Sequence, residues 1–277
     1  MSVAHRHIAT SLLAALIALA WFVLWSWDQS PYARYLHHGG LGALNADSVL
    51  CRTFAPGTFR ELLLPFMLSI LGWLIMVVAM MVPSTMPLIL VFQRVSEARH
   101  DRAFLLSILL MGYLVAWVAF GLAAYLADWL MFHQLLASDW VIRNAWLIAA
   151  ASLFAAGLFQ FSTLKYRCLD KCRSPITFVM PHWRGRGHVR YAFLLGLRHG
   201  AFCVGCCWAL MLLMFTIGAG SLGWMLILGA FTVIEKNLPW GAKIGRPLGL
   251  ALIAWSSAIV IANVATLGAL PVLSIPQ

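Results

Sequence analysis

Seven long apolar runs constrain this chain more than any other feature of its sequence. Most of them hold about twenty residues, which at about 1.5 Å per residue is enough for a helix to cross the roughly 30 Å hydrocarbon core of a bilayer. We therefore predict an all-α fold, a polytopic membrane bundle of about seven transmembrane helices. The runs cover residues 8–27, 61–90, 103–126, 144–164, 198–215, 222–238 and 247–267.

The composition supports a membrane protein and argues against a soluble one. Of the 277 residues, 62% are hydrophobic and only 10% are charged, whereas soluble domains average about 25% charged residues. The net charge of +10 does not indicate nucleic-acid binding, because the basic residues cluster between the apolar runs. We divide the chain into residues 1–60, a first span with an outer loop, and residues 61–277, a six-span membrane domain.

The distribution of Lys and Arg predicts the orientation of the chain. Residues 1–7, 91–102, 165–190 and 236–246 hold fourteen of the nineteen Lys and Arg residues, whereas segments 28–60 and 127–143 hold four. Positively charged loops stay on the cytoplasmic side of a membrane. We predict a multi-pass protein of the bacterial cytoplasmic membrane with its N-terminus in the cytoplasm. The short sixth run is the weakest link in this topology, because a re-entrant segment there would move the C-terminus to the inside.

The fifth run concentrates soft metal donors at helical spacing. Residues three or four positions apart share one face of a helix, and thiolate and thioether sulfur suit Cu(I), while thiolates also suit zinc or redox chemistry. The alternative is that buried cysteine and methionine act as ordinary apolar residues. The donors along this face are His199, Cys203, Cys207, Met211 and Met214, with Cys206 one step round the helix.

A second group of sulfur donors surrounds two prolines in the second run. Met80, Met81 and Met86 lie beside Pro83 and Pro87. Proline breaks a helix locally and frees backbone carbonyls. The group is either a thioether-lined passage for Cu(I) or a kinked helix in which methionine fills gaps.

The remaining candidates lie at predicted membrane edges. Cys168 and Cys172 are four residues apart in a basic segment, 165–190, which we predict to be a loop with reactive thiols that exchange metal at the cytoplasmic mouth. Glu235 and Lys236 close the sixth run. They are either an interfacial pair, or Glu235 points inward as a ligand or proton acceptor.

The predicted topology places these groups at a similar depth. Because the second and sixth runs end inside and the fifth run begins inside, Met80, Cys203 and Glu235 all fall in the inner half of the membrane. Soft and charged donors from three helices can therefore meet at one level.

Three blocks of sequence resemble a bacterial family of predicted metal-binding integral membrane proteins whose function is unknown. The blocks are MMVPSTMP at 80–87, STLKYRCLDKCRSP at 162–175, and HGAFCVGCCWALM through EKNLPWG at 199–241, and the resemblance covers roughly residues 62–260. It implies a bacterial cytoplasmic membrane and a bound metal, without an established reaction.

We expect a membrane protein that handles copper as Cu(I), in preference to zinc, because thioether is a poor zinc ligand. Its partners would be the lipid bilayer, the metal ion, and a metallochaperone or another membrane-complex protein. One alternative is a thiol–disulfide or quinone-linked oxidoreductase; another is a structural or assembly subunit of a larger membrane complex. Whether the chain is an enzyme stays open, with a non-enzymatic role preferred.

Overall fold

Helices are the regular secondary structure of the protein wherever its structure is described. A computed structural model describes residues 3–30, 59–97, 99–135, 144–175, 188–216 and 222–269, and these contain α-helices and two short 3₁₀ helices but no strand. The all-α prediction is confirmed. The α-helices are α1 (Val3–Asp28), α2 (Phe59–Met81), α3 (Met86–Val95), α4 (Arg102–Leu135), α5 (Ala145–Phe159), α6 (Thr163–Arg173), α7 (His188–Thr216), α8 (Leu222–Asn237) and α9 (Gly245–Ala269), and the 3₁₀ helices are Pro83–Thr85 and Gly241–Ile244.

Four helices are long and apolar enough to cross a membrane: α1, α4, α7 and α9. Two further candidates are bent pairs, α2 with α3 at 45° and α5 with α6 at 61°, so the described residues hold four to six candidate spans rather than seven. The predicted span that is missing from this set is α8. Its 16 residues rise only about 24 Å at 1.5 Å per residue.

The break between α2 and α3 follows from Pro83, as the sequence predicted. The Ser84 hydroxyl donates to the Met81 carbonyl at 2.8 Å, and the Asn237 side chain donates to the Pro83 carbonyl at 3.2 Å. Carbonyl groups released by a proline therefore find new donors, one of them on another helix. The hydrogen bond from Asn237 thus links the bend to the end of α8.

The prediction of a basic loop over residues 165–190 is wrong for residues 165–173, which are helical. Residues Thr163–Arg173 form α6, and the Ser162 hydroxyl caps this helix by accepting a hydrogen bond from the Lys165 amide at 3.1 Å. Lys165, Leu169 and Cys172 are buried on one face of α6. These buried residues are spaced by four and three positions, as on one face of a helix. The sequence prediction missed this face because it considered only the positive charge of the segment. Residues 176–187 lie outside the described part.

α4 and α7 run in the same direction and pack closely where α7 carries glycine. A methyl group on Gly196 would lie 1.9 Å from the Leu109 carbonyl oxygen, and one on Gly200 would lie 2.7 Å from the Ala116 side chain. Neither position leaves room for a side chain, so glycine at both permits the close approach of the two helices.

α2 runs opposite to α4. The Trp73 indole donates to the Trp117 carbonyl at 3.0 Å, and the Tyr113 hydroxyl donates to the Met81 carbonyl at 3.3 Å. As α2 advances from Trp73 to Met81, its contacts on α4 move back from Trp117 to Tyr113. α2 is also antiparallel to α7, which runs with α4.

α8 runs in the same direction as α2 and opposite to α7. The Met80 side chain packs against Gly229, and the Lys236 ammonium lies 3.3 Å from the Ser84 hydroxyl. Although it is short, α8 carries the chain back from the end of α7 to the level at which α7 holds its cysteines.

α9 packs antiparallel to α5. The Ser256 hydroxyl donates to the Ala150 carbonyl at 2.7 Å, and Gly157 approaches the Ile253 side chain. α1 lies against α2 and the following bend, where Leu13 clusters with Val82 and Ile89. The boundary that we predicted between residues 60 and 61 falls inside α2, and the division into two parts stays a prediction.

Candidate metal centre

Four buried thiols from two helices meet in the main core. α7 supplies Cys203, Cys206 and Cys207, α6 supplies Cys172, and each side chain is 1% exposed or less. The thiols of Cys172 and Cys206 are in hydrogen-bond contact, and Cys207 contacts both Cys203 and Cys206. All four are free thiols. They form a continuous chain of sulfur atoms from α6 into α7.

The helix backbone fixes the orientation of two of these thiols. Cys206 and Cys207 donate to the Cys203 carbonyl at 3.1 and 2.9 Å. Residues three and four positions later along a helix lie next to the same carbonyl. The CVGCC sequence therefore gathers its three sulfur atoms by local geometry, and the fold adds the fourth.

A lysine from a third helix completes the cluster. Lys236 at the end of α8 is 3% exposed, and its ammonium nitrogen lies 2.9 Å from the Cys203 sulfur. A cation at this distance stabilises the thiolate form of cysteine over the thiol. Glu235 and Lys236 do not pair with each other: both side chains are buried against partners on other helices, although the next residue, Asn237, is exposed.

α4 places the phenol group of Tyr113 beside the Cys203 sulfur. The Tyr113 hydroxyl lies 3.1 Å from the Cys203 sulfur. Its ring is 6.1 Å from the His199 ring, centroid to centroid, and the His199 side chain is 1% exposed. His199 interacts electrostatically with Lys236 and Cys206. The imidazole thus lies close to the thiols, as its position on α7 predicted.

Cys168 lies at the edge of the cluster and is partly exposed. A methyl group on Gly205 would be 2.7 Å from the Cys168 sulfur. The absence of a side chain at Gly205 lets the thiol rest directly on the α7 backbone, next to Cys206 in sequence.

The methionine candidates divide into three groups. Met80, Met81 and Met211 are buried in the core that contains the thiols. Met86 packs in a different cluster with Val82 and Ile89, because the bend after Pro83 turns α3 away. The Met214 side chain lies outside the described residues.

Glu235 points inward but pairs with a lysine. Its carboxylate lies 2.5 Å from the Lys165 ammonium, with both side chains fully buried, and Lys165 also donates to the Gln160 amide oxygen. Arg173 donates to the backbone carbonyls of Glu235 and Pro239. The expectation that Glu235 binds the metal directly has no support in this geometry, since an ion pair already engages the carboxylate.

Among the side chains that the structure describes, the buried charges leave one positive charge in excess. Lys165 and Glu235 balance each other, whereas Lys236 faces thiols. Buried charges are costly unless they are paired, so an anionic sulfur species suits this position. In the described part of the chain, no set of three or more His, Cys, Asp or Glu side chains is arranged to hold a metal ion.

Comparison with known protein families identifies a relationship that covers more than half of the chain. Residues 70–259 match the family PpoB2, described as a copper chaperone. The chain belongs to this family. The copper chaperone match includes the Pro83 bend, α6, the cysteine-bearing part of α7, and all of α8. No curated protein and no solved structure matches the chain.

Copper-chaperone membership supports copper-related chemistry, which the sulfur donors predicted. Sequence reasoning missed Lys236 as the cation beside Cys203, and it did not consider Tyr113 or Ser84. Of these three residues, only Lys236 could have been found from the sequence, because it is a charged residue at the end of an apolar run and at the depth predicted for the cysteines.

Proposed function

We propose that this chain is a membrane-embedded copper chaperone that receives Cu(I) as cargo in the buried thiol cluster. Membership of a copper chaperone family supports the metal. Soft thiolates are the preferred ligands of Cu(I). Cys203, Cys206, Cys207 and Cys172 supply the donors, of which two at a time would hold the ion.

The contact between Lys236 and Cys203 carries this proposal. Cu(I) bound by two thiolates has a single negative charge, which matches the one positive charge that the buried groups have in excess. Zinc with the same two thiolates would be neutral and would leave Lys236 uncompensated, and zinc usually takes four ligands. Because no set of three or more His, Cys, Asp or Glu side chains in the described residues is arranged to hold a metal ion, a site of two thiolates favours Cu(I) over zinc.

Other sulfur and nitrogen groups would line the site without forming its centre. Met80, Met81 and Met211 share the core with the thiols, and His199 is buried next to Tyr113. Thioether groups are soft and polarisable, so they suit transient contact with Cu(I).

We propose that the chain resides in the bacterial cytoplasmic membrane with its N-terminus inside. The parallel course of α4 and α7, the opposite course of α2, and the return course of α8 are the directions that the charge distribution requires. Four long apolar helices and two bent pairs support membrane insertion. A metallochaperone on the cytoplasmic side would deliver the ion.

Metal analysis of the purified protein tests this function. Detergent-purified chain, reduced and loaded with Cu(I), should retain on the order of one copper ion per chain against a competing chelator, since two thiolates suffice for Cu(I). The triple variant C203S/C206S/C207S should retain none. Ala201→Ser is a matched control, because Ala201 lies on α7 but is exposed. Copper retention by the triple variant would overturn the proposal.

One contact favours thiol–disulfide oxidoreductase activity as a second candidate. Cys172 and Cys206 touch although they lie on different helices, so a disulfide between them would cross-link α6 and α7. Thiol trapping in cells separates the two functions. A Cys172–Cys206 disulfide that forms and disappears with growth conditions would favour redox chemistry, whereas persistent thiols would favour copper binding.

A further inference from the structure

We propose that Cys168 is the thiol that first accepts copper and that the ion then moves inward along a fixed series of sulfur atoms. This inference rests on the proposed copper function and adds the route by which the cargo reaches the buried site. Among the described cysteines, Cys168 alone is not fully buried.

Burial places Cys168 first on the route, and the contacts between the buried cysteines give the order after it. Cys172 follows Cys168 by one turn of α6, roughly 6 Å along the helix, and is 1% exposed. Cys172 contacts Cys206, and Cys206 contacts Cys207. An ion that enters from outside the protein therefore meets Cys168 before any other described thiol.

Glycine at position 205 keeps the first thiol in line with the others. A methyl group there would lie 2.7 Å from the Cys168 sulfur, well inside van der Waals contact. The sulfur therefore rests against α7 one residue from Cys206. A larger residue at 205 would push the first thiol away from the series.

The surface beside Cys168 suits an anionic copper carrier. Arg167 and Lys171 flank Cys168 on the exposed side of α6, and both are exposed, as is Asp170. Positive side chains steer anions toward the thiol.

Each transfer is a ligand exchange without oxidation. One copper–sulfur bond forms as another breaks, and the proton of the accepting thiol passes to the sulfur that releases the ion. Copper stays Cu(I) throughout. The series ends at Cys203, where the Lys236 ammonium lies 2.9 Å from the sulfur.

Stopped-flow transfer from the Cu(I)–bicinchoninate complex to the full-length protein in detergent tests the route. We expect C168S to accept copper at least about tenfold more slowly than wild type, which corresponds to a barrier raised by about 1.4 kcal/mol. Its equilibrium affinity, measured by competition with bathocuproine disulfonate, should match that of wild type. C172S should lose affinity as well as rate.

A second variant tests the route with the Cys168 thiol still present. Gly205→Ala should slow transfer because its methyl group displaces the Cys168 sulfur, whereas Gly223→Ala, where nothing lies within 4 Å of the added carbon, should transfer at the wild-type rate.

The outcomes separate the route from the function. A C168S variant that accepts copper at the wild-type rate would overturn the route, and so would one that loses affinity as C172S does, because Cys168 would then be a ligand of the stored ion. A wild-type protein that binds no Cu(I) would instead overturn the proposed function, and the route with it.

Discussion

The ammonium nitrogen of Lys236 lies 2.9 Å from the sulfur of Cys203, and both side chains are buried where α7 and α8 meet. Two residues 33 positions apart thus place a fixed positive charge beside a soft metal donor. The same ammonium lies 3.3 Å from the Ser84 hydroxyl at the bend after α2. Lys236 therefore connects the thiols to the break in a neighbouring helix.

Replacing this lysine should weaken copper binding. Lys236→Met keeps the length of the side chain but removes the charge that balances the copper–thiolate complex, and we expect Cu(I) affinity to fall about 10- to 100-fold, the usual effect of losing a group that supports metal ligands. Competition with bathocuproine disulfonate measures the change. Lys243→Met is the control, because Lys243 is exposed on the adjoining 3₁₀ helix. Equal affinities for the two variants would contradict the charge-balance argument.

The ion pair between Lys165 and Glu235 should stabilise the fold only as a pair. Removing one partner leaves the other charge buried, which costs about 3–5 kcal/mol, so Lys165→Met and Glu235→Leu should each strongly lower the free energy of unfolding. The double variant should recover much of that loss. Unfolding by SDS titration in mixed micelles measures all four proteins. Additive losses in the double variant would show that the two side chains do not depend on each other.

Close packing of α4 on α7 should make Gly196 intolerant of any side chain. A methyl group there would lie 1.9 Å from a backbone oxygen, so Gly196→Ala should force the helices apart and cost about 1–3 kcal/mol of stability. Gly223→Ala meets no neighbour and should leave stability unchanged or raise it by up to about 1 kcal/mol, because alanine favours helices. Thermal unfolding in detergent compares the two. A Gly196→Ala protein as stable as wild type would argue against the close contact.

Thiol accessibility should follow the burial of the cysteines. A water-soluble maleimide should modify Cys168 before Cys172, Cys203, Cys206 or Cys207 in the native protein, since only the first is partly exposed among them. Peptide mass spectrometry after timed labelling gives the order. Unfolding in SDS should abolish the difference. Labelling of Cys203 as fast as Cys168 under native conditions would be inconsistent with the buried cluster.

The sequence alone was sufficient to predict those features of the site that depend on residues close together in the chain. Cys206 and Cys207 follow Cys203 by three and four residues, so a helix through them brings both of their sulfur atoms to the Cys203 carbonyl. Pro83 likewise breaks its helix whatever surrounds it. These outcomes depend on neighbours in sequence, and periodicity and proline chemistry were enough to predict them.

Other features of the site depend on partners that are distant in sequence. The sequence placed Lys165 in a basic loop and left open whether Glu235 and Lys236 form an interfacial pair. In the structure each lysine is buried beside a partner from another helix, Glu235 for Lys165 and Cys203 for Lys236. A partner that is distant in sequence offsets the cost of burial, and no local pattern reveals it.

The sequence by itself determined a chain of apolar helices with sulfur donors at helical spacing, because hydrophobic length and periodicity act within each segment. Only the tertiary structure decided that Cys172 meets Cys206, that Lys236 faces Cys203, and that Met86 lies apart from Met80. Those outcomes depend on the angles at which α6, α7 and α8 pack and on the bend after Pro83. Packing angles arise from contacts between whole helix surfaces, which the order of residues along one helix does not specify.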